Sequence, residues 1–492
     1  MTRRLWIWAA LGAPLGLPLA LLVAFRAVPA IDVIYQNVEF HLLVVSCIAA
    51  CALTVALLAT RAAARSCQPG PVWLASGCIA VGILMLTHGL LTPGVLGTPV
   101  NRWVARTPYL AITLFAISLA LAGRPRNSAP SWLARRHPRL VVGTPLVVLS
   151  LFGLTLYLEP TILWGRGPVS HENLALWILT VVDVVLLGSV AIVHWRRWRL
   201  GYDVVQYSLV LAATMSAAAV VSLRGGGPWR LSWWDYHGFL LAGFGAAVYA
   251  VLTRYRSARA LEHVLASTFE HDPMLHIVEG YPAALRDLVH ALEIKDAYTH
   301  GHSERTARTA VQLGLRLGVD EDTLRILARG GFLHDVGKIA ISDTILNKPG
   351  PLTPDERAVI ETHPAIGCEL VSPVRKLREV LPAVLHHHER WDGTGYPHQL
   401  YGPTIPLVAR IVALADVWDA LTSDRAYRPG FPPDVALAHI VSARGSQFDP
   451  KLVDVFVAVA ADWGYRLAAV RGDADEAWRA VESCHEALAS RA

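Results

Sequence analysis

The first 255 residues of this 492-residue chain contain no lysine and few charged residues of any kind. They hold 19 arginines and 7 acidic residues, a net charge of +12, whereas residues 256–492 carry a net charge of −7. Over the whole chain 17% of the residues are charged and 53% are hydrophobic, against about 25% charged in an average soluble protein. This shortage excludes a disordered chain and disfavours a wholly soluble one. The unequal halves indicate two regions that face two different solvents.

Cysteine is also scarce, and its spacing does not suit a thiolate metal site. The six cysteines form no CxxC pair, and four of them fall in or beside apolar stretches of the first half. We therefore expect neither disulfides nor a cysteine-rich zinc site.

Long apolar runs, by contrast, are frequent in the first half. A membrane-spanning helix needs about 20 consecutive apolar residues. Eight stretches qualify, at roughly 5–24, 40–59, 72–91, 104–123, 140–158, 174–193, 204–223 and 238–255. Seven stretches follow the first one, which lacks an obvious small-residue cleavage site, so we interpret it as a retained helix. Residues 1–255 are predicted to form an eight-helix transmembrane bundle, a sensor-like domain.

The distribution of arginine predicts how this bundle is oriented. If the N-terminus lies inside, the inner segments carry 15 arginines and the outer loops carry 6. Basic residues concentrate on the cytoplasmic side of a membrane protein. We therefore expect a multi-pass protein of the cytoplasmic (inner) membrane, embedded in the lipid bilayer, with both termini in the cytoplasm.

Several features of the first half and of the segment after it leave alternatives open. Asp183 and His88 lie within apolar stretches and either serve sensing or proton transfer, as ionisable residues in a bilayer often do, or are structural. The structural alternative has Asp183 bonding a neighbouring helix and His88 lying at the membrane interface. Tryptophans in the loop 224–237 either anchor helix ends or form a ligand-binding aromatic cluster. Residues 256–284 are interpreted as a linker helix that either transmits movement or simply connects.

Residues 285–465 are predicted to form an all-α domain, because their apolar pattern is helical throughout, and residues 466–492 a C-terminal helical tail. Histidine and aspartate recur within or beside the apolar segments, at His302, His334, Asp335, His363, His386, His387, His388 and Asp416. A single such histidine is usually a core residue, but this many in one domain indicate metal binding, and imidazole with carboxylate suits Fe, Mn, Zn or Ni. The number exceeds what one ion uses. Two ions that share Asp335 are the simplest interpretation, and such pairs are typical of phosphoester hydrolases.

A series of motifs in this half identifies a family. The motifs are GHSERTA at 301–307, HDVGKI at 334–339, LNKPGPLT at 346–353, HP at 363–364, HHERWDGTGYP at 387–397, ADVWDALTSDRAYR at 415–428 and QFDP at 447–450. Together they resemble the HD-GYP domain, the cyclic di-GMP phosphodiesterase branch of the HD superfamily. The resemblance covers about residues 285–465.

The resemblance implies a membrane-anchored, metal-dependent hydrolase in signal transduction. It would convert the bacterial second messenger cyclic di-GMP to pGpG or GMP in response to a membrane or extracellular signal. The alternatives are a non-catalytic cyclic di-GMP receptor, an interaction module for a diguanylate cyclase, or an enzyme acting on another cyclic dinucleotide. A homodimer formed through the linker is compatible with this architecture. The net negative charge of this half gives no reason to expect a nucleic acid polymer as a partner.

The resemblance also assigns roles to single residues. It implies seven ligands for two divalent ions, Fe or Mn, with His386 outside the set: His302, His334, Asp335, His363, His387, His388 and Asp416. Asp335 and Lys338 are assigned to catalysis, and Lys338 is expected near the scissile phosphate. Contacts with the dinucleotide are expected from Lys338, Gly395, Tyr396, Arg425 and Arg428. The two arginines alternatively form surface ion pairs.

Further residues near the motifs receive supporting roles. Glu389, Asp392 and Asp419 are expected to orient ligand histidines and the motif loop. Tyr298 stands where some family members carry a carboxylate that supports a third metal, so we expect two ions, which favours pGpG as the product.

Overall fold

The structure is a computed structural model of the chain. It describes residues 16, 20–21, 23–25, 27–66, 68–96, 103–125, 127–158, 170–201, 203–254, 268–269, 283–295, 301–348, 350–424 and 430–465. The chain divides into two compact units, Met1–His276 and Ile277–Ala492. Within the described ranges the secondary structure is helical, with three isolated bridges and no strand. The all-α prediction is confirmed for this part of the chain.

The first unit consists of long apolar helices. They are α1 (Val38–Ser66), α2 (Pro69–Leu90), α3 (Thr107–Ala122), α4 (Ala129–Arg136), α5 (Pro138–Leu158), α6 (Ser170–Gly201), α7 (Val204–Gly225) and α8 (Leu231–Arg254). All but α4 coincide with predicted apolar stretches. The short α4 was not predicted, and the first stretch, 5–24, lies largely outside the described residues.

Among the described residues of this unit, five helices are long and apolar enough to cross a membrane. They are α1, α2, α5, α7 and the segment Leu174–Arg199 of α6, whereas α3 is apolar but shorter. The predicted number of eight spans is therefore not established. Apolar side chains on α5 and α6 are exposed, among them Leu151 and Val185. Exposed apolar surface on this scale suits a lipid environment better than water.

Asp183 lies on α6 and is fully buried. Its Oδ2 accepts a hydrogen bond of 2.8 Å from the hydroxyl of Thr113 on α3. The carboxyl group thus bonds a neighbouring helix, which is the structural alternative that the sequence left open for it.

The second unit is built from shorter helices. They are α9 (Ala283–Lys295), α10 (His302–Leu317), α11 (Glu321–Leu333), α12 (Asp343–Leu346), α13 (Pro354–Ile360), α14 (His363–Val371), α15 (Leu381–His386), α16 (Leu407–Thr422), α17 (Pro433–Ser442) and α18 (Pro450–Asp462). Three short 3₁₀ segments, Val336–Ala340, Arg375–Val380 and Gly402–Thr404, lie between them. The unit boundary at 276/277 falls inside the predicted linker 256–284. Most of that linker and the tail 466–492 lie outside the described residues.

The helix α16 forms the centre of this unit. Ile411, Leu414 and Leu421 on α16 are completely buried and belong to one apolar cluster with Phe456 of α18. Trp418 is part of the same cluster, so it serves core packing. Because α16 is held on several sides, the polar groups that it carries have fixed positions.

Candidate metal centre

Most of the predicted metal ligands of the second unit come from the ends of helices. His302 is the first residue of α10, His363 is the first residue of α14, and His334 and Asp335 directly follow α11. His387 and His388 follow α15, while Asp416 lies within α16. Helix ends leave the chain free to turn side chains toward a common point, and the ends of four helices do so here, while Asp416 projects from the body of α16.

Four of these side chains form a first group, which comprises Asp335, His363, His387 and His388. One ligand atom from each lies within 4.8 Å of all the others. Oδ1 of Asp335 is 3.3 Å from Nε2 of His363 and 3.8 Å from Nε2 of His387. The two imidazole nitrogens are 3.4 Å apart.

A second group comprises His302, His334 and Asp335. Oδ2 of Asp335 lies 3.5 Å from Nε2 of His334 and 4.0 Å from Nε2 of His302. Oδ1 of Asp416 is 3.2 Å from Nε2 of His302 and 3.8 Å from Nε2 of His334. Asp335 is therefore common to both groups, with one carboxylate oxygen turned toward each.

The second nitrogen of each of four histidines is held by a hydrogen bond. Three rings donate from Nδ1 to a backbone carbonyl three residues earlier, at 2.8 Å for His334, 2.7 Å for His363 and 2.8 Å for His387. His302 donates from Nδ1 to Oδ2 of Asp419 at 2.7 Å. For His334, His363 and His387 such bonds fix the tautomer and leave the lone pair of Nε2 facing the centre, as in metal-ligating histidines.

A polar atom at this centre also suggests a cation. Nε2 of His334 is completely buried and makes no hydrogen bond with the described residues. A buried nitrogen without a partner costs free energy, and a metal ion among these oxygens and nitrogens would satisfy it. Nitrogen and carboxylate donors of this kind suit Fe, Mn or Zn. The residues present therefore fit a divalent metal ion of the kind that the sequence predicted.

The ionisation of the site suits cation binding. Burial, together with neighbouring histidines, lowers the pKa of His388 to about 3 and holds the pKa of His387 well below 6.5. Burial alone would raise the pKa of Asp335, but the adjacent Lys338 ammonium and neighbouring histidines hold it well below 3.8. His387 and His388 are neutral and Asp335 is anionic at neutral pH, which are the forms that bind metal.

His302 is held between two carboxylates of α16. Asp416 and Asp419 are three residues apart and so lie on one face of the helix, where they contact Nε2 and Nδ1 of His302 respectively. Burial would lower the pKa of His302, but these hydrogen bonds and charges raise it to about 10. Asp419 also accepts from Arg305 at 2.6 Å. The position of the His302 ring is thus determined from both sides.

Lys338 and Tyr396 are the two predicted substrate contacts whose side chains approach the centre. Nζ of Lys338 donates to Oδ2 of Asp335 at 2.6 Å. The ring of Tyr396 stacks on His388, with ring centroids 4.7 Å apart. Tyr396 therefore also positions one of the histidines, which the sequence did not predict. Arg425, Arg428 and Tyr298 lie outside the described residues.

The loop that carries Gly395 and Tyr396 is held by a buried carboxylate. Glu389 is 4% exposed and accepts hydrogen bonds from the backbone amides of His398 at 2.7 Å and Leu400 at 2.9 Å. A Cβ atom on Gly395 would come within 2.4 Å of the backbone nitrogen of Arg390. Only glycine fits at this position without a shift of the loop.

Gly337 is a residue whose importance the sequence did not reveal. A Cβ atom at this position would lie 1.9 Å from the backbone oxygen of His363 and 2.6 Å from the nitrogen of Gly367. The segment after Asp335 therefore packs directly on the backbone of α14, and this approach brings Asp335 to His363. The only sequence signal was the glycine inside the HDVGKI motif.

A comparison with protein families matches a stretch of this second unit. Residues 288–452 match the family model described as HD domain. A curated relative, "Cyclic di-GMP phosphodiesterase response regulator RpfG" of Xanthomonas campestris, is 44% identical over 186 residues, which are 37% of this chain and 49% of the relative. "Cyclic di-GMP phosphodiesterase PA4108" of Pseudomonas aeruginosa is 37% identical over 254 residues, 50% of this chain and 60% of the relative.

A third relative carries a different substrate in its name. "3'3'-cGAMP-specific phosphodiesterase 2" of Vibrio cholerae is 35% identical over 193 residues, 39% of this chain and 37% of the relative. The chain thus spans between 37% and 60% of the length of these three relatives. Residues 288–452 of the C-terminal unit are thus similar to an HD domain.

Proposed function

We propose that the second unit is a dinuclear metal phosphodiesterase that hydrolyses cyclic di-GMP. One observation carries the proposal: the two oxygens of Asp335 face different histidine groups, with Oδ1 3.3 Å from His363 and Oδ2 3.5 Å from His334. A carboxylate placed in this way can bridge two ions. His363, His387 and His388 would complete one site, and His302, His334 and Asp416 the other.

The chain's own residues would orient the centre and offset charge. When bound, two divalent ions supply Lewis acidity to the phosphoryl oxygens and lower the pKa of water. Lys338 has three ammonium donors, so it can bond Asp335 and a phosphate oxygen together. Its positive charge would stabilise the negative charge that develops on the phosphate in the transition state. Asp335 and Lys338 are therefore the residues to which we assign catalysis.

The choice of cyclic di-GMP rests on the names of the two relatives above and on the motif loop. Gly395 and Tyr396 shape the surface next to His388, and we propose that this surface receives the dinucleotide together with Lys338. Arg425 and Arg428 are proposed to contact its phosphates. Because a relative is named for 3'3'-cGAMP, that dinucleotide is the second candidate substrate. We propose two ions and pGpG as the main product, since Tyr298 offers no carboxylate for a third.

We further propose that the first unit anchors the enzyme in the cytoplasmic membrane and receives a signal there. Five apolar helices long enough to span a bilayer support this location. The arginine distribution supports cytoplasmic termini. A homodimer and a diguanylate cyclase partner are compatible with such a receptor.

The test uses the full chain in lipid nanodiscs. It is stripped of metal, loaded with Fe(II) under anaerobic conditions or with Mn(II), and given cyclic di-GMP or 3'3'-cGAMP, and the products are separated by chromatography. We expect pGpG or GMP to appear from cyclic di-GMP. Binding of cyclic di-GMP without turnover under either metal would establish the receptor alternative instead. Faster cleavage of 3'3'-cGAMP would reassign the substrate while leaving the centre in place.

A further inference from the structure

Three histidines meet inside the first unit, far from one another in sequence. His41 lies near the start of α1, His88 near the end of α2 and His237 near the start of α8. They are 0%, 2% and 0% exposed. Nε2 of His41 is 3.2 Å from Nε2 of His88 and 3.0 Å from Nε2 of His237. We call these three residues the His41 cluster.

The protons available to the His41 cluster do not satisfy its contacts well. Nδ1 of His88 lies 2.7 Å from the carbonyl oxygen of Val104, which can only accept, so Nε2 of His88 carries a lone pair. The hydroxyl of Tyr236 lies 2.9 Å from this lone pair and can donate to it. Nε2 of His41 contacts the same nitrogen of His88 and Nε2 of His237, and it has at most one proton for these two contacts. A metal ion at the centre would be bound by all three inward-facing nitrogens at once.

The spacing of the nitrogens fits a metal ion. Two ligands of a tetrahedral ion with metal–nitrogen bonds of about 2.0–2.1 Å lie roughly 3.3 Å apart. The separations of 3.2 Å and 3.0 Å in the His41 cluster are close to that value. The hydroxyl of Tyr236 lies 2.9 Å from Nε2 of His88, where an oxygen donor could take a fourth position. The bond between His88 and Val104 is the kind of partner that orients ligand histidines.

The surroundings indicate which class of ion this site would take. Indole rings pack around His41, with ring centroids at 5.6 Å for Trp229, 5.2 Å for Trp233 and 5.8 Å for Trp234. They form an apolar wall that limits access of water. The ligating groups are imidazoles, which suit Zn²⁺, Cu²⁺, Ni²⁺ and Fe²⁺, whereas Ca²⁺ and Mg²⁺ prefer sets of oxygen atoms.

We propose that His41, His88 and His237 bind one imidazole-preferring transition-metal ion, with zinc and copper as the candidate ions. This site is separate from the centre at Asp335, and it does not depend on the proposed hydrolysis. In the orientation predicted from arginine, all three helix ends lie on the outer side of the membrane. The ion would then come from outside the cell. The tryptophans that the sequence placed in a loop at 224–237 lie just before α8 (Trp229) and in its first turn (Trp233 and Trp234). They pack on the His41 cluster, so they do more than anchor helix ends.

The experiment must separate this site from the C-terminal centre. The starting variant, called the parent, is the full chain in nanodiscs with Asp335→Ala and His363→Ala. These two substitutions remove the shared carboxylate and one histidine of the C-terminal centre. The parent is equilibrated with ZnCl₂ or with CuCl₂ and desalted, and the metal per chain is measured. His237→Ala is compared in this parent with the control His194→Gln. His194 is also a buried histidine of the first unit, 2% exposed, and lies 2.6 Å from Gln206.

We expect His237→Ala to hold one ion fewer per chain than the parent, whereas His194→Gln holds the same number. Bound Cu²⁺ should show nitrogen coupling in its electron paramagnetic resonance spectrum and quench tryptophan fluorescence, and both signals should weaken in His237→Ala. Equal metal content and equal quenching in parent and variant would overturn the proposal. If His237→Ala does not fold, the parent alone is measured. The absence of a nitrogen-ligated copper signal in the parent would also overturn the proposal.

Discussion

At the scale of single residues, the C-terminal centre depends on which nitrogen of each histidine faces inward. His334, His363 and His387 each donate from Nδ1 to a carbonyl three residues earlier. The backbone therefore fixes these rings before any ion is bound. His302 differs, because a side chain, Asp419, holds its Nδ1. This bond can be removed by substitution without changing the backbone.

Asp419→Ala should lower the metal affinity and the activity of the centre without removing a proposed ligand. The His302 ring would lose its 2.7 Å partner and with it the fixed tautomer. Loss of such a partner typically costs about 10–100-fold in metal affinity or activity. The measurement is a titration of metal-stripped full chain with Mn(II), with hydrolysis followed in parallel. Asp454→Ala is the matched control, since Asp454 is an exposed aspartate paired with Arg444 at 3.0 Å. Equal affinity in both variants would contradict this role of Asp419.

Gly337→Ala should move His363 away from Asp335 within the first ligand group. The added Cβ would lie 1.9 Å from the oxygen of His363, so α14 must move away from Asp335. A misplacement of about 1 Å can cost about a hundredfold in rate, and we expect a loss of at least that size in hydrolysis. Gly318→Ala serves as the control. Gly318 has φ +69° and no atom within 4 Å of an added Cβ, so it should lower stability by about 1–2 kcal/mol and leave the rate unchanged.

At the scale of elements, the loop from His388 to Leu400 is the part that joins the metal centre to the proposed substrate surface. Tyr396 stacks on His388 at one end. Glu389 binds the amides of His398 and Leu400 at the other. The loop has little regular secondary structure, so its shape depends on these few contacts and on the absence of a side chain at Gly395.

Glu389→Gln should loosen this loop. An amide has one acceptor oxygen, so its NH₂ group would face one of the two backbone N–H donors. Leaving such a buried group unsatisfied costs about 1–3 kcal/mol. Hydrogen exchange of the His398 and Leu400 amides in the full chain should therefore speed up several-fold or more, because local opening becomes easier, and the KM for cyclic di-GMP should rise. The exposed Glu369→Gln is the control. Unchanged exchange at both amides would refute the role of Glu389.

The elements also show how far the sequence could predict this structure. Long apolar runs were enough to predict α1 and α2, and helical apolar periodicity was enough for α16, because long helices with a strong pattern leave little ambiguity. The sequence also predicted that Asp335 is shared, and the two oxygens of Asp335 do face different histidine groups. The close approach at Gly337 could not be predicted, since it depends on the backbone of α14, which is distant in sequence. His41 and His237 were missed for the same reason: each is a lone histidine on an apolar helix, and only the fold brings them together.

At the scale of the whole molecule, the two units have the compositions that two different solvents require. The first unit exposes apolar side chains and carries arginine without lysine, whereas the second has an ordinary soluble composition with a net negative charge. The proposed function needs the second unit in the cytoplasm, where a nucleotide messenger is made and consumed. The orientation of the first unit in the membrane and the proposed activity of the second unit therefore depend on the same cytoplasmic location.

The orientation is testable with reporters on the full chain. Because basic residues favour the cytoplasmic side, a fluorescent-protein fusion after residue 492 should fluoresce. An alkaline phosphatase fusion at the same place should be inactive. A phosphatase inserted in the loop before α8, near Gly226, should be active. The reverse pattern would place the second unit outside the cell and would contradict both the orientation and the proposed substrate.

The most direct test of the central claim, that two ions sharing Asp335 carry out hydrolysis, is to measure metal content and turnover of cyclic di-GMP in the same samples. The full chain carries His237→Ala, so that only the C-terminal centre is counted. In this background we expect two ions per chain and turnover. Asp335→Ala should then lower both the metal content and the rate, the latter by about a thousandfold or more, while Asp454→Ala leaves both unchanged. Full activity in Asp335→Ala would contradict the account.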